Sequence, residues 1–199
     1  MIRILKKITS EKVPEELNHF EADTWIHIEE PTDNEIERIV EAFKLDKSLL
    51  QDALDIDEVP RMEIEDDILY IYTRYVLVNQ IPADTTPLLI IITKQNLITL
   101  SLRDLPIMTK FLSGKIDFNT SKRSLLIIKL FRQINETYST YLNSLTKKLR
   151  SITASLEKIS AQEIIQFVTY ESILYDFNST LLRISPIYRN FMHGRSIKL

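Results

Sequence analysis

From Ile127 the apolar residues Leu130, Phe131, Ile134, Tyr138, Tyr141, Leu142, Leu145, Leu149, Ile152, Leu156 and Ile159 recur at steps of three and four. That spacing lays one apolar stripe along a helix. A helix of roughly forty residues is on the order of 55 Å long at ~1.5 Å per residue. A break near Ile159-Ser160 precedes a second pattern through Ile164, Val168, Leu174, Phe177, Leu181, Ile184, Tyr188 and Phe191, so the two helices are expected to fold back as an antiparallel hairpin. A hairpin this long cannot lie wholly on what precedes it. Part of it is expected to project or to pack on another subunit, in an oligomeric or membrane-anchored context.

The first 119 residues read differently. Ile2, Ile4 and Lys6 alternate as a short strand, and Val13-Pro14-Glu15-Glu16-Leu17 places a proline where a brief helix would start. Thr24 to Ile28 alternates again. Thr32 stands three residues before Glu35, a capping box, and Ile36, Ile39, Val40 and Phe43 follow at helical spacing. A second short helix is expected from Asp46, its cap, to Leu54. Strands follow at Arg61–Glu65, Ile68–Val78, Leu88–Thr93 and Leu97–Leu102, with Asp66-Asp67 and Lys94-Gln95-Asn96 as turns. The unbroken apolar run Leu88 to Ile92 predicts an interior strand covered on both faces, and Leu105 to Leu112 one more short helix.

Composition removes several classes of function. With glycine only at 114 and 194, the chain has no G-x-G-x-x-G turn, no P-loop and no G-x-S-x-G elbow. Absence of cysteine excludes disulfides, Cys-ligated zinc, iron–sulfur clusters and thiol nucleophiles. The longest apolar run is Leu88 to Ile92, too short to span a bilayer, and the N-terminus does not read as a signal peptide.

The net charge of -3 conceals an acidic first part and a basic second part, the latter carrying twelve Lys and Arg against five Asp and Glu from Thr120 onward. These basic residues are spread along the helical patterns without clusters longer than Lys147-Lys148 or an aromatic platform, which argues for a solvated helix face and against nucleic acid.

No motif demands an enzyme. His19, His27 and His193 are scattered without metal-ligand spacing and are expected to be structural or surface residues. The segment from Gln51 to Asp67 holds eight carboxylates against one arginine, Arg61. Carboxylate oxygens suit hard cations such as Mg²⁺ and Ca²⁺, although the segment lacks the spacing and glycine of an EF-hand. A solvated acidic rim is the ordinary reading of such a run. Mg²⁺ keeps several waters and needs only one or two protein carboxylates, which narrows the gap.

The order of elements, with Trp25-Ile26-His27-Ile28, Pro31-Thr32, Leu49-Leu50-Gln51-Asp52-Ala53-Leu54, Pro60-Arg61-Met62-Glu63, Leu69-Tyr70-Ile71-Tyr72 and Thr93-Lys94-Gln95-Asn96, resembles the N-terminal cytoplasmic domain of CorA magnesium transporters. The resemblance covers nearly the whole chain. It implies an α+β fold in which a mixed sheet sandwiched between helices (1–119) is followed by a long antiparallel helical hairpin (120–199). In that family a stalk helix and two membrane spans follow and form a homopentameric pore with a Gly-Met-Asn loop. A chain ending at Leu199 is therefore expected to be a soluble piece, at the cytoplasmic face of the membrane, that transports nothing alone.

The resemblance also implies a site. The family senses cytoplasmic Mg²⁺ where one subunit's sheet domain meets a neighbour's stalk, and the matching carboxylate here is Asp52, with Asp55 as a further candidate ligand. A neighbouring acidic position of the family pattern is Gln51 here, and an acidic position on the long helix falls near Arg132, which puts a second regulatory site in doubt. Partner carboxylates would lie on the stalk. Mg²⁺, or another divalent cation such as Co²⁺, Ni²⁺ or Zn²⁺, is the implied ligand. Two other readings stand beside this one: a zinc-transporting relative of the same fold, and a soluble oligomeric scaffold whose acidic rim binds a basic partner.

Overall fold

A computed structural model of the chain describes residues 1–8, 11–77, 84–153 and 160–192. Among the described residues seven strands, β1 (Ile2–Lys6), β2 (Glu15–Leu17), β3 (Trp25–Glu29), β4 (Arg61–Glu65), β5 (Ile68–Leu77), β6 (Asp84–Ile92) and β7 (Leu97–Ser101), form one sheet in the order β2-β1-β3-β7-β6-β5-β4. β3 and β7 run parallel and the other neighbours are antiparallel, so the sheet is mixed as expected. Helices α1 (Asp33–Phe43) and α2 (Lys47–Asp52) cover one face. The other is covered by α3 (Ile107–Leu112), α4 (Arg123–Thr153) and α5 (Ala161–Met192).

The central run of β6 shows why both layers form. Leu88, Ile90 and Ile92 join the core under α3 and α4, while Leu89 and Ile91 join the core under α1 and α2, and all five are buried. Alternate side chains of a strand point to opposite faces, so an unbroken apolar run needs a layer on each. β6 begins four residues earlier than the sequence suggests and contains Pro87. That proline lies beyond Leu88, where the pairing with β7 stops at Ser101, a position at which a missing N–H is tolerated.

One element differs in kind. Glu15–Leu17, expected to open a helix, is the edge strand β2, with Ile4 opposite Leu17 and Lys6 opposite Glu15. The proline and two acidic residues suit a first helical turn, but β1 offers an unpaired edge and Leu17 packs on the core beneath it, so tertiary pairing overrides the local preference. A three-residue, acidic edge strand also discourages further pairing.

The long helices pack antiparallel. Phe131 meets Tyr188 at 4.2 Å and Phe191 at 5.8 Å between ring centroids, and further along Tyr138 meets Phe177 at 5.1 Å. On α5, Ile164, Ile165, Val168, Tyr175 and Leu182 are exposed, so the second helix has an apolar side that this chain alone does not cover. Among the described residues no helix is long and apolar enough to cross a membrane. The expected break near Ile159, the stripe positions Leu156 and Ile159, the side chain of Ile152, the strand end at Val78, and His193 lie outside the described residues.

The other histidines have structural partners. His27 is buried in β3, with Nδ1 2.9 Å from Thr99 Oγ1 and Nε2 3.3 Å from Glu29. His19 is exposed beside Asn18 and Glu21.

Candidate cation site at the end of the second helix

Short as it is, α2 is fixed at both ends. Asp46 caps it, its Oδ1 accepting from Ser48 N at 2.7 Å and Leu49 N at 3.4 Å. Leu49 and Leu50 are buried against the sheet. Two tyrosines of β5 hold the helix: Asp46 N donates to Tyr70 Oη at 3.3 Å, and Tyr72 Oη donates to Leu49 O at 2.8 Å. This anchoring leaves Gln51 exposed and sets Asp52 at the helix end with its side chain 47% exposed.

The helix ends two residues earlier than expected, because the chain unwinds into turns closed by Leu54 N to Gln51 O at 2.9 Å and Asp55 N to Asp52 O at 3.0 Å. Arg74 of β5 clamps the loop that follows, donating from Nη1 to Ile56 O at 2.9 Å and Glu58 O at 2.7 Å. Its Nε and Nη2 bind Thr85 on β6, so the loop is tied to the middle of the sheet.

This route brings Arg61, the first residue of β4, beside Asp52. Register places Arg61 opposite Tyr72, and the guanidinium lies over the Tyr72 ring at 3.8 Å from its centroid. Nη2 donates to Asp52 Oδ2 at 2.6 Å, Nη1 to Glu58 and Nε to Glu63. One guanidinium thus gathers three carboxylates. Burial works against its charge more than any other influence, yet the Glu63 and Glu58 carboxylates overcome it and hold Arg61 above its ordinary value. Burial raises the Tyr72 hydroxyl well above the usual phenol range, so at neutral pH it remains the donor to Leu49.

The two candidate ligands separate. Asp55 is exposed, accepts from Asp57 N at 3.0 Å, and lines a groove between α1 and α2 with Asp33, Glu37, Lys47 and Gln51. Asp52 belongs to the Arg61 cluster. Arg132, at the family position expected to be acidic, pairs within α4 with Glu136 at 2.9 Å. Among the described residues no three His, Asp or Glu side chains are grouped so as to hold a metal ion.

Arg61, Glu58, Glu63 and Tyr72 are not among the site residues expected from the sequence. A signal was present: Arg61 is the one basic residue among eight carboxylates, and alternation along 61–65 puts it on the same face as Glu63.

The CorA-like Mg²⁺ transporter protein family matches residues 21–194. No curated protein matches the chain. Among solved structures, the complete CorA magnesium transporter of Methanocaldococcus jannaschii superposes with a TM-score of 0.78 at 22% identity, over 92% of this chain and 60% of that one. The soluble domain of CorA from the same organism gives 0.82 at 20% identity, over 100% of this chain and 80% of that one. The ZntB cytoplasmic domain from Vibrio parahaemolyticus RIMD 2210633 gives 0.76 at 13% identity, over 98% and 80%. At such identities the structures establish the fold, and the chain spans about 60% of the length of the complete transporter. The family match runs from the turn before β3 to beyond the end of α5, and on that ground the chain belongs to the CorA-like Mg²⁺ transporter family.

Proposed function

We propose that this chain is the regulatory domain, on the cytoplasmic side, of a divalent-cation transporter, with residues 1–119 as a sensing unit and 120–199 as a hairpin leading to stalk and pore segments. The observation that carries the reading is the family match over residues 21–194; the half-exposed carboxylate of Asp52, the ligand that the resemblance implies, is consistent with it. Asp52 fits half a site. Mg²⁺ needs one or two protein carboxylates and keeps several waters, and one carboxylate alone binds it weakly. A second carboxylate from a neighbouring subunit would complete the site, so ion binding would favour the assembled, closed state by linkage. The family's homopentamer and membrane anchorage come to this chain on the same reading, and no chemical step is assigned to it.

Ligand chemistry favours Mg²⁺ over a zinc-transporting version. The acidic side chains gathered with Asp52 at Arg61 are those of Glu58 and Glu63, so the donors at hand there are carboxylate oxygens, which suit Mg²⁺. Asp55 is a secondary candidate, facing a different groove.

The test uses the full-length protein, after confirming that the natural gene encodes two apolar spans beyond Leu199. Millimolar Mg²⁺ is expected to slow limited proteolysis of the wild type and to protect Asp52→Ala less. Equal protection of the two would remove Asp52 from the site, and a gene without such spans would exclude transport.

A further inference from the structure

The Arg61 cluster holds a cation already, and that cation is part of the chain. Its three carboxylates are not held alike. Glu58 is only 12% exposed and its carbonyl is clamped by Arg74, while Glu63 lies two residues along β4 from Arg61. Both are fixed by the strand and loop that carry Arg61 itself. Asp52 belongs to another element, is the most exposed of the three at 47%, and meets the guanidinium through one terminal nitrogen. If Asp52 turned away, Arg61 would keep Glu58, Glu63 and the Tyr72 ring. Its place does not depend on Asp52, whereas the charge of Asp52 is balanced by Arg61.

We propose that Arg61 is the resident counter-ion of Asp52, that a divalent cation binds at Asp52 by displacing it, and that this exchange sets the concentration at which the domain responds. The proposal rests on the reading of Asp52 as a ligand and adds what that carboxylate does without metal. A free carboxylate at the end of α2 would take up cations at lower concentration. One held by a guanidinium must first lose a charge-assisted hydrogen bond, and the arriving ion then sits near a positive group that stays in place. Because Arg cannot be deprotonated at physiological pH, the competition persists across that range. A guanidinium stacked on an aromatic ring and forked between carboxylates is also hard to replace with lysine, whose ammonium is a single compact charge.

The experiment measures binding of Mn²⁺, as a paramagnetic stand-in for Mg²⁺, to this chain by electron paramagnetic resonance, with Mg²⁺ as competitor. Arg61→Met keeps an apolar stem over Tyr72 and removes the charge. It is expected to bind Mn²⁺ about tenfold more tightly than wild type, equivalent to ~1.4 kcal/mol. Adding Asp52→Asn to Arg61→Met is expected to erase the gain. Arg61→Lys, which keeps the charge without the fork, is expected to tighten binding by a smaller factor, about threefold, and serves if the methionine variant does not fold, as judged by circular dichroism.

Two results overturn the proposal: no tightening in a folded Arg61 variant, or a gain that survives Asp52→Asn, which would place the ion on Glu58 and Glu63. The Asp52→Asn single variant separates the two levels of the argument. If it weakens Mn²⁺ binding while Arg61→Met changes nothing, Asp52 remains a ligand and only the role of Arg61 falls. If neither substitution alters binding, the assignment of Asp52 falls as well.

Discussion

His27 Nδ1 lies 2.9 Å from Thr99 Oγ1 across the step where β3 and β7 run parallel. The same oxygen accepts from Trp25 Nε1 at 2.9 Å, and the other ring nitrogen of His27, Nε2, lies 3.3 Å from Glu29 Oε2. Thr99→Val preserves shape and strands two buried nitrogens. The expected cost is about 2–4 kcal/mol, since each unsatisfied buried group costs ~1–3. Urea unfolding with an unchanged m-value measures it, and a loss well under ~1 kcal/mol would show that this hydroxyl does not anchor the pair.

At the end of β3 the carboxyls of Glu29 and Asp104 are pushed in opposite directions. The hydrogen bond from His27 does most to hold Glu29 below its ordinary value, with Asp104 also donating and Arg3 adding positive charge. Asp104 is raised, first by desolvation and then by the Glu29 charge, with Glu30 adding to it and His27 opposing. Glu29 therefore stabilises the fold above the ordinary glutamate value of 4.5, and that contribution is lost as pH falls through its lowered value. Asp104 has the opposite sign. Its stability is fully present below the ordinary aspartate value of 3.8 and is lost as pH rises through the raised one. Asp104→Asn keeps a donor for Glu29 and cannot ionise, so it is expected to be more stable than wild type at neutral pH, with the gain vanishing below about pH 4. Denaturant midpoints at the two pH values check this, and a gain independent of pH would refute it.

The sheet and hairpin were legible because their signals are periodic and redundant. Leu88 to Ile92 can be apolar throughout only under two layers, and the stripe from Ile127 to Tyr138 repeats often enough to outweigh local exceptions. Glu15–Leu17 misled because three residues carry no period, and the edge of β1 decides their state. The site was harder to read. Asp52 is reached through resemblance, not spacing, and it lies nine positions from Arg61 along a loop whose path is set by Arg74. Side chains that meet through a clamped loop leave no periodic trace, although the solitary basic charge among carboxylates was visible.

The start of α1 offers a local test. Thr32 Oγ1 accepts from Glu35 N at 3.3 Å while Glu35 Oε2 accepts from Thr32 N at 2.9 Å, completing the expected capping box. Thr32→Ala is expected to cost about 1 kcal/mol. The Thr32 amide does most to hold the Glu35 carboxyl below its ordinary value of 4.5, with the N-terminal ammonium assisting. Its contribution is present above that value and is lost as pH falls through the lowered one, so the gap between Glu35→Ala and wild type should narrow in acid. A gap that stays constant from neutral to acid pH would show that Glu35 is not part of the cap.

Two left-handed residues at helix ends are expected to respond oppositely to substitution. Gly114, after α3, has φ +68, and a Cβ there would lie 2.2 Å from Lys12 O. That carbonyl also accepts from Lys7 Nζ at 3.3 Å, and the buried Lys7 pairs with Asp117 at 2.8 Å and faces Phe118. Gly114→Ala adds backbone strain and pushes Lys12 away from Lys7, so it should cost more than about 2 kcal/mol. Lys44, the cap residue after α1, has φ 53 and holds that conformation without glycine's freedom, its N–H bonded to Val40 O. Lys44→Gly relieves the strain and is expected to stabilise by about 0.5–1 kcal/mol. Thermal or urea unfolding of both variants checks the pair. If Gly114→Ala is neutral, the approach of Lys12 is adjustable; if Lys44→Gly destabilises, its side chain contributes more than its backbone strain costs.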